Sequence, residues 1–131
     1  MKNICLRRLL KPAFSPGQKE LGERIRRAVD AWVYQKGYLK PLNNVEEIAE
    51  DIGVPPDRLS IFIRFHYDNT LLGWRKDLRI EDAKRLLLEY PDLPLSTIGE
   101  LVGIRDKSNF RKQFTETVKM SPRQWREKNG R

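Results

Sequence analysis

The chemistry open to this chain is narrow. Cys5 is its single cysteine and His66 its single histidine, so an internal disulfide is excluded and a Cys/His metal site nearly so. No glycine-rich phosphate loop occurs, and no nucleophile stands beside a plausible base. The paired acids Glu46 and Glu47, or Glu81 and Asp82, read as solvated helix faces. No catalytic residue, metal ligand, cofactor or small-molecule site is therefore expected, and the chain is not read as an enzyme. The remaining cluster is Arg105, Lys107, Ser108, Arg111 and Lys112. Cations and a hydroxyl on one helix face suit a nucleic-acid duplex, because arginine and lysine match guanine O6 and N7 in the major groove. Arg111 and Lys107 are the expected base readers.

These residues need a rigid support, and the stretch Leu95–Trp125 supplies one. Ile98, Leu101 and Val102 recur at helical spacing, with small Gly99 where a crossing helix can approach closely. Gly103 follows as a left-handed cap and Ile104 plugs the corner. A second helix from Lys107 buries Phe110 and Phe114, and a third follows Pro122. The result is a helix-turn-helix with a basic outer face. The same arrangement occurs fifty positions upstream, where Ala49 matches Gly99 and Gly53 matches Gly103. Leu59 and Ile63 match Phe110 and Phe114 at an offset of fifty-one. Repetition of aligned anchors makes the signal specific. The reading residues of this first copy are Arg58, Ser60, Ile61 and Arg64.

The rest of the chain follows from that repeat. Its 131 residues suffice for one domain or two small helical ones, and 34% charged residues suit a helix-rich, water-exposed chain. A net charge of +8 points to nucleic acid as a partner. No apolar run approaches the ~20 residues needed to span a bilayer. The opening segment is too short and broken for a secretory leader, which leads us to expect a cytoplasmic protein with no membrane partner. Residues 1 to 17 read as a mobile basic tail carrying Cys5 as a free thiol. Residues 18–70 form the first helix-turn-helix subdomain, 71–90 a connecting helix and 91–131 the second.

In the first subdomain a helix over Lys19–Lys36 presents Leu21, Ile25, Ala28, Val29 and Trp32 as a packing stripe, with Arg24, Arg26 and Arg27 on its solvated face. His66 is expected to face solvent or cap a helix. The connecting helix starts after Thr70 and stops at Pro91. Leu71, Trp74 and Leu78 share one face, while Ile80, Ala83, Leu87 and Tyr90 cluster roughly 150° away. One half can pack on each motif. At ~1.5 Å per residue this helix is roughly 30 Å long, close to the ~34 Å between successive major-groove faces. One buried cluster should hold Trp74, Leu78, Leu59, Ile48 and Ile52, and another Leu87, Ile98, Val102, Phe110, Phe114 and Trp125.

The run RIEDAKRLLLEYPDLPLSTIGELVGIRDKSNFRKQF, followed by MSPRQWR, resembles the C-terminal DNA-binding domain of AraC/XylS-family transcriptional regulators. The likeness extends over about Arg24 to Lys128, with WVYQKGYLKPLNNVEEIAEDIGV resembling the family's first helix and first motif. It implies an all-α domain of two helix-turn-helix units joined by a long helix. It also implies a regulator of promoter DNA that activates through RNA polymerase. Three departures stand out. Asp68 and Lys119 occupy places where the family commonly has glycine, and aspartate tolerates the left-handed conformation better than lysine. Ile61 stands where a polar or basic residue is common. The separate sensory or dimerisation domain common in the family is not among these residues.

Charge separates the two heads. Residues 41–70 hold two basic and six acidic side chains, whereas residues 91–131 hold nine basic and five acidic. Phosphate neutralisation supplies most non-specific DNA affinity, so the second head should dominate. The alternative is a protein-interaction module that keeps the fold and applies its acidic, apolar first head, with Ile61 and Phe65 exposed, to a partner protein. A further alternative buries Ile61 and Phe65 against the N-terminal segment, since residues 1–40 carry a net +7.

Overall fold

The computed structural model describes residues 16–130. They are helical throughout: α1 (Pro16–Tyr34), a 3-10 turn (Gly37–Leu39), α2 (Val45–Ile52), α3 (Pro56–Tyr67), α4 (Leu71–Glu89), α5 (Leu95–Leu101), α6 (Lys107–Val118) and α7 (Pro122–Asn129). The all-α architecture with two helix-turn-helix motifs, α2–α3 and α5–α6, and a long intervening helix is the one expected. The tail assigned to residues 1–17, with Cys5, lies outside the described residues except at its end, where α1 begins at Pro16. The described residues divide into two compact units. The first comprises 16–38 and 42–74, the second 39–41 and 75–130.

Local chemistry sets the helix boundaries. Asn44 caps α2 by accepting from Glu47 N at 2.8 Å, while Glu47 Oε1 accepts from Asn43 N at 2.9 Å. Proline opens α3 at its first turn. Thr70 Oγ1 accepts from Gly73 N at 3.0 Å, as expected of the residue before α4. Ser121 and Gln124 bond reciprocally at the start of α7 in a capping box. Left-handed residues end three of the helices: Gly53 at φ 89°, Asp68 at φ 52° and Lys119 at φ 70°. The two departures from the family's glycine therefore keep the glycine conformation.

In the first unit Ile25, Val29 and Trp32 of α1 are buried with Ile48, Ala49, Leu59, Ile63, Leu71 and Trp74. The Trp32 and Trp74 rings stack at 5.8 Å, and Trp32 Nε1 donates to Asp51 Oδ2 at 2.8 Å. In the second unit Ile80, Ala83, Leu87, Ile98, Val102, Ile104, Phe110 and Phe114 form one cluster.

Some expectations are corrected. Ile52 is half-buried, and so is Leu78, which belongs to the second unit and not to the cluster expected around Trp74. Trp125 packs on the second cluster from its edge, half-buried, and its Nε1 donates to Lys84 O at 3.4 Å. Leu101 and Tyr90 are exposed: the first is the last residue of a seven-residue helix and the second lies beyond the end of α4. Phe62 is buried although the repeat did not single it out. The reason is that α3 packs on both α1 and α2, which widens its apolar arc. His66 does not simply face solvent. It is half-buried, its ring 4.2 Å from that of Phe62, with Arg26 Nη2 at 3.1 Å from its Nδ1.

Candidate nucleic-acid interface

The second motif is held by its turn. Ile104 N donates to Gly99 O at 2.8 Å and Gly103 N donates to Glu100 O at 3.0 Å. With Gly103 at φ 85° these two bonds form a Schellman cap, which satisfies the last carbonyls of α5 and redirects the chain. Arg79 of α4 braces the same corner. Its Nη1 donates to Gly103 O at 3.3 Å and its Nη2 to Lys40 O at 2.8 Å. Burial, and then the neighbouring Arg75 charge, push the Arg79 guanidinium down to about 10, so it remains protonated near neutrality. Burial alone lowers Arg75.

Asp106 then starts α6 by accepting from Asn109 N at 2.7 Å. Phe110 and Phe114 point into the core with ring centroids 6.0 Å apart. That anchoring turns Lys107, Ser108, Arg111 and Lys112 of α6 outward, and Arg105, in the turn just before the helix, is exposed with them. Asn109, Thr115 and Glu116 share the exposed surface and were missed by the sequence reading. Asn109 could have been found, since an amide pairs with adenine N6 and N7. Glu116 places an acid on the otherwise basic outer surface.

The first motif offers less. Arg58 and Arg64 are exposed and Ser60 is half-buried. Ile61 is 65% exposed, an apolar side chain at the middle of the outer face of α3. The alternative that buries it against the N-terminal segment involves residues outside those described.

Arg126 is basic but committed elsewhere. Its Nε donates to Leu87 O at 3.0 Å, and its Nη2 lies 3.2 Å from both Tyr90 O and Leu93 O. It thus covers carbonyls at the C-terminal end of α4, where a cation also suits the helix dipole. Among the described residues there is no His/Cys/Asp/Glu group able to hold a metal ion, and no helix long and apolar enough to cross a membrane.

Tandem helix-turn-helix motifs, the second with an exposed cationic face, define a class of nucleic-acid-binding folds. Comparison with known proteins narrows the class. Residues 48–128 match the family described as a helix-turn-helix domain. The arabinose operon regulatory protein of Escherichia coli (strain K12) is 33% identical over 101 residues, 76% of this chain and 34% of that protein. An uncharacterized HTH-type transcriptional regulator of Bacillus subtilis (strain 168), YobQ, is 40% identical over 82 residues, 63% of this chain and 34% of that one. The solved C-terminal domain of AraT, a response regulator from Geobacillus stearothermophilus, superposes with a TM-score of 0.70 at 29% identity, covering 82% of this chain and 86% of that one. The chain belongs to the AraC/XylS-type family of helix-turn-helix transcription regulators. It spans about a third of the length of the curated relatives it matches.

Proposed function

We propose that this chain binds double-stranded DNA sequence-specifically to regulate transcription, with its second helix-turn-helix supplying most of the affinity. The observation that carries this reading is the exposed set Lys107, Ser108, Arg111 and Lys112, mounted on a helix whose Phe110 and Phe114 are buried, with Arg105 exposed in the turn that leads into it. Arg111 and Lys107 are the base readers, and the remaining cations neutralise phosphates. Asn109 joins them as a reader of adenine. In the first motif Arg58, Ser60 and Arg64 make the polar contacts, while Ile61 is suited only to a thymine methyl, which adds selectivity and little affinity. Promoter or operator DNA is the partner. We place the protein's work in the cytoplasm, beside the chromosome, with RNA polymerase as the partner through which it acts. The alternative of a protein-interaction module is not favoured, because the relatives named above are transcriptional regulators.

Selection of bound sites from random duplexes, followed by titration of the selected duplex at several salt concentrations, tests the proposal. The expected result is a defined motif and a logarithmic salt dependence whose slope grows by about 0.9 for each phosphate neutralised. Recovery of no motif, with binding equal on all duplexes, would reduce the protein to a non-specific binder.

A further inference from the structure

The first unit carries a concave surface that reading DNA does not require. A groove of about 810 Å³ lies between α1 and α3. Its apolar lining is Leu21, Ile25, Ile61, Phe62 and Phe65, and its charged side chains are Lys19, Arg26 and Arg58 against Glu23. We propose that this groove binds a small amphiphilic carboxylate, whose apolar body lies along the two helices and whose anionic head meets Arg26. Sequence alone does not reveal such a site, because Arg26 and His66, which meet in its lining, stand forty positions apart.

Volume, polarity and charge each favour that class of ligand. Small-molecule sites enclose about 300–1,000 Å³ and combine a mostly apolar lining with a few placed polar groups. Here Ile25 and Phe62 are buried and Leu21 and Phe65 half-buried, so an apolar body gains contact with both helices. Gly22 adds room, since a Cβ there would meet nothing within 4 Å and the α1 wall is bare backbone at that point. Three cations against one acid give the lining a net positive charge, which attracts an anion and repels a cation.

Arg26 makes the head a carboxylate. Its side chain is half-buried, with the guanidinium carbon 5.5 Å from the centroid of the Phe62 ring and Nη2 3.1 Å from His66 Nδ1. These contacts hold the guanidinium plane in one orientation, so a ligand loses little affinity to ordering it. A guanidinium carries five N–H donors and the His66 contact takes one, which leaves enough to grip a carboxylate at two points.

Binding there has a consequence for the first head. Arg58 and Ile61 line the groove and also belong to the outer face of α3. A ligand in the groove therefore reaches two of the residues assigned to DNA. That consequence rests on the DNA-binding reading above; the carboxylate site itself does not, and its test contains no DNA.

Octanoate, octanamide and octylammonium share one apolar body and differ in the charge of the head. Each is titrated into the full chain below its micelle-forming concentration. His66 is the only histidine, so its imidazole signals report on the site without ambiguity. Octanoate should saturably shift those signals and the amides of residues 21–26 and 61–66, and leave those of Lys107–Val118 unmoved. Octanamide should bind about tenfold more weakly, and octylammonium more weakly still. Arg26→Gln should bring octanoate down to the affinity of octanamide, which itself stays unchanged, whereas Arg26→Lys should keep a preference for octanoate. Gly22→Leu, made where there is open space, should fill the groove and weaken all three with the thermal midpoint retained. Equal affinity for octanoate and octanamide would reduce the groove to an apolar surface and overturn the proposal. So would the absence of a saturable shift, or shifts that survive both Arg26→Gln and Gly22→Leu.

Discussion

Gly99 and Phe110 approach so closely that a Cβ on Gly99 would stand 2.9 Å from Phe110 Cγ and 3.0 Å from Ile104 O. One neighbour is backbone and the other a fully anchored ring, so neither can yield. Gly99→Ala should therefore destabilise the second unit by ~1–3 kcal/mol through overpacking. At the matching position of the first motif the chain already carries Ala49, buried at 1% exposure. Ala49→Gly should cost about 0.5–1 kcal/mol, as a helix-interior glycine does. Urea titrations of the two variants check the contrast, and an unchanged midpoint for Gly99→Ala would show that α5 and α6 can separate freely.

Phe110 itself is 2% exposed within the second cluster. Phe110→Ala should destabilise by ~3–5 kcal/mol, the range for truncating a buried aromatic. A loss below ~1 kcal/mol in a denaturant titration would mean that α6 does not turn this ring into the core.

DNA affinity should divide unequally between the motifs. Arg111→Ala with Lys112→Ala should abolish specific binding, whereas Arg58→Ala with Arg64→Ala should reduce it modestly. Arg111→Ala alone should lower specific affinity by ~1–3 kcal/mol and relax one base position. Equal losses for the two pairs, with equal falls in salt slope, would show that the heads share the work.

Lys119 ends α6 at φ 70°, a region where a side chain clashes with its own backbone. Lys119→Gly should raise stability by up to ~1 kcal/mol, the removed strain being partly offset by the added freedom of the unfolded chain. Asp68→Gly, at φ 52°, should gain less, because aspartate tolerates this conformation better. Thermal midpoints rank the pair, and the reverse order would contradict the steric account.

Arg79 is 8% exposed and donates to two backbone carbonyls, those of Lys40 and Gly103. Arg79→Met retains most of the packing and removes both bonds. A destabilisation of ~2–3 kcal/mol is expected, since hydrogen bonds from a charged group are stronger than neutral ones. Hydrogen exchange should locate the loss at Gly103 and Ile104, and protection unchanged there would remove Arg79 from the support of the turn.

Much of this architecture was legible because it depends on local rules. Gly53 and Gly103 mark left-handed turns fifty residues apart, and the buried anchors on the helices that follow are related by fifty-one. Side chains whose fate depends on a second helix were less legible. Phe62 is buried because α1 lies across α3, and the same approach brings Arg26 to its ring at 5.5 Å and to His66. The role of Arg126 likewise depends on a second helix, since its guanidinium covers carbonyls at the end of α4. On α6 the cations were visible in the sequence, whereas the sharing of their surface with Asn109, Thr115 and Glu116 required the helix to be placed on its core.

The stacked indoles of the first unit have a spectroscopic consequence. Trp32 and Trp74 lie 5.8 Å apart with planes 22° from parallel, which is close enough for their electronic transitions to couple. The third tryptophan, Trp125, sits in the second unit beneath the Lys84 ammonium at 4.8 Å. Circular dichroism of the coupled pair therefore reports on the first unit alone, and fluorescence of a variant that keeps only Trp125 reports on the second. The placement of the three indoles thus gives each unit its own optical report.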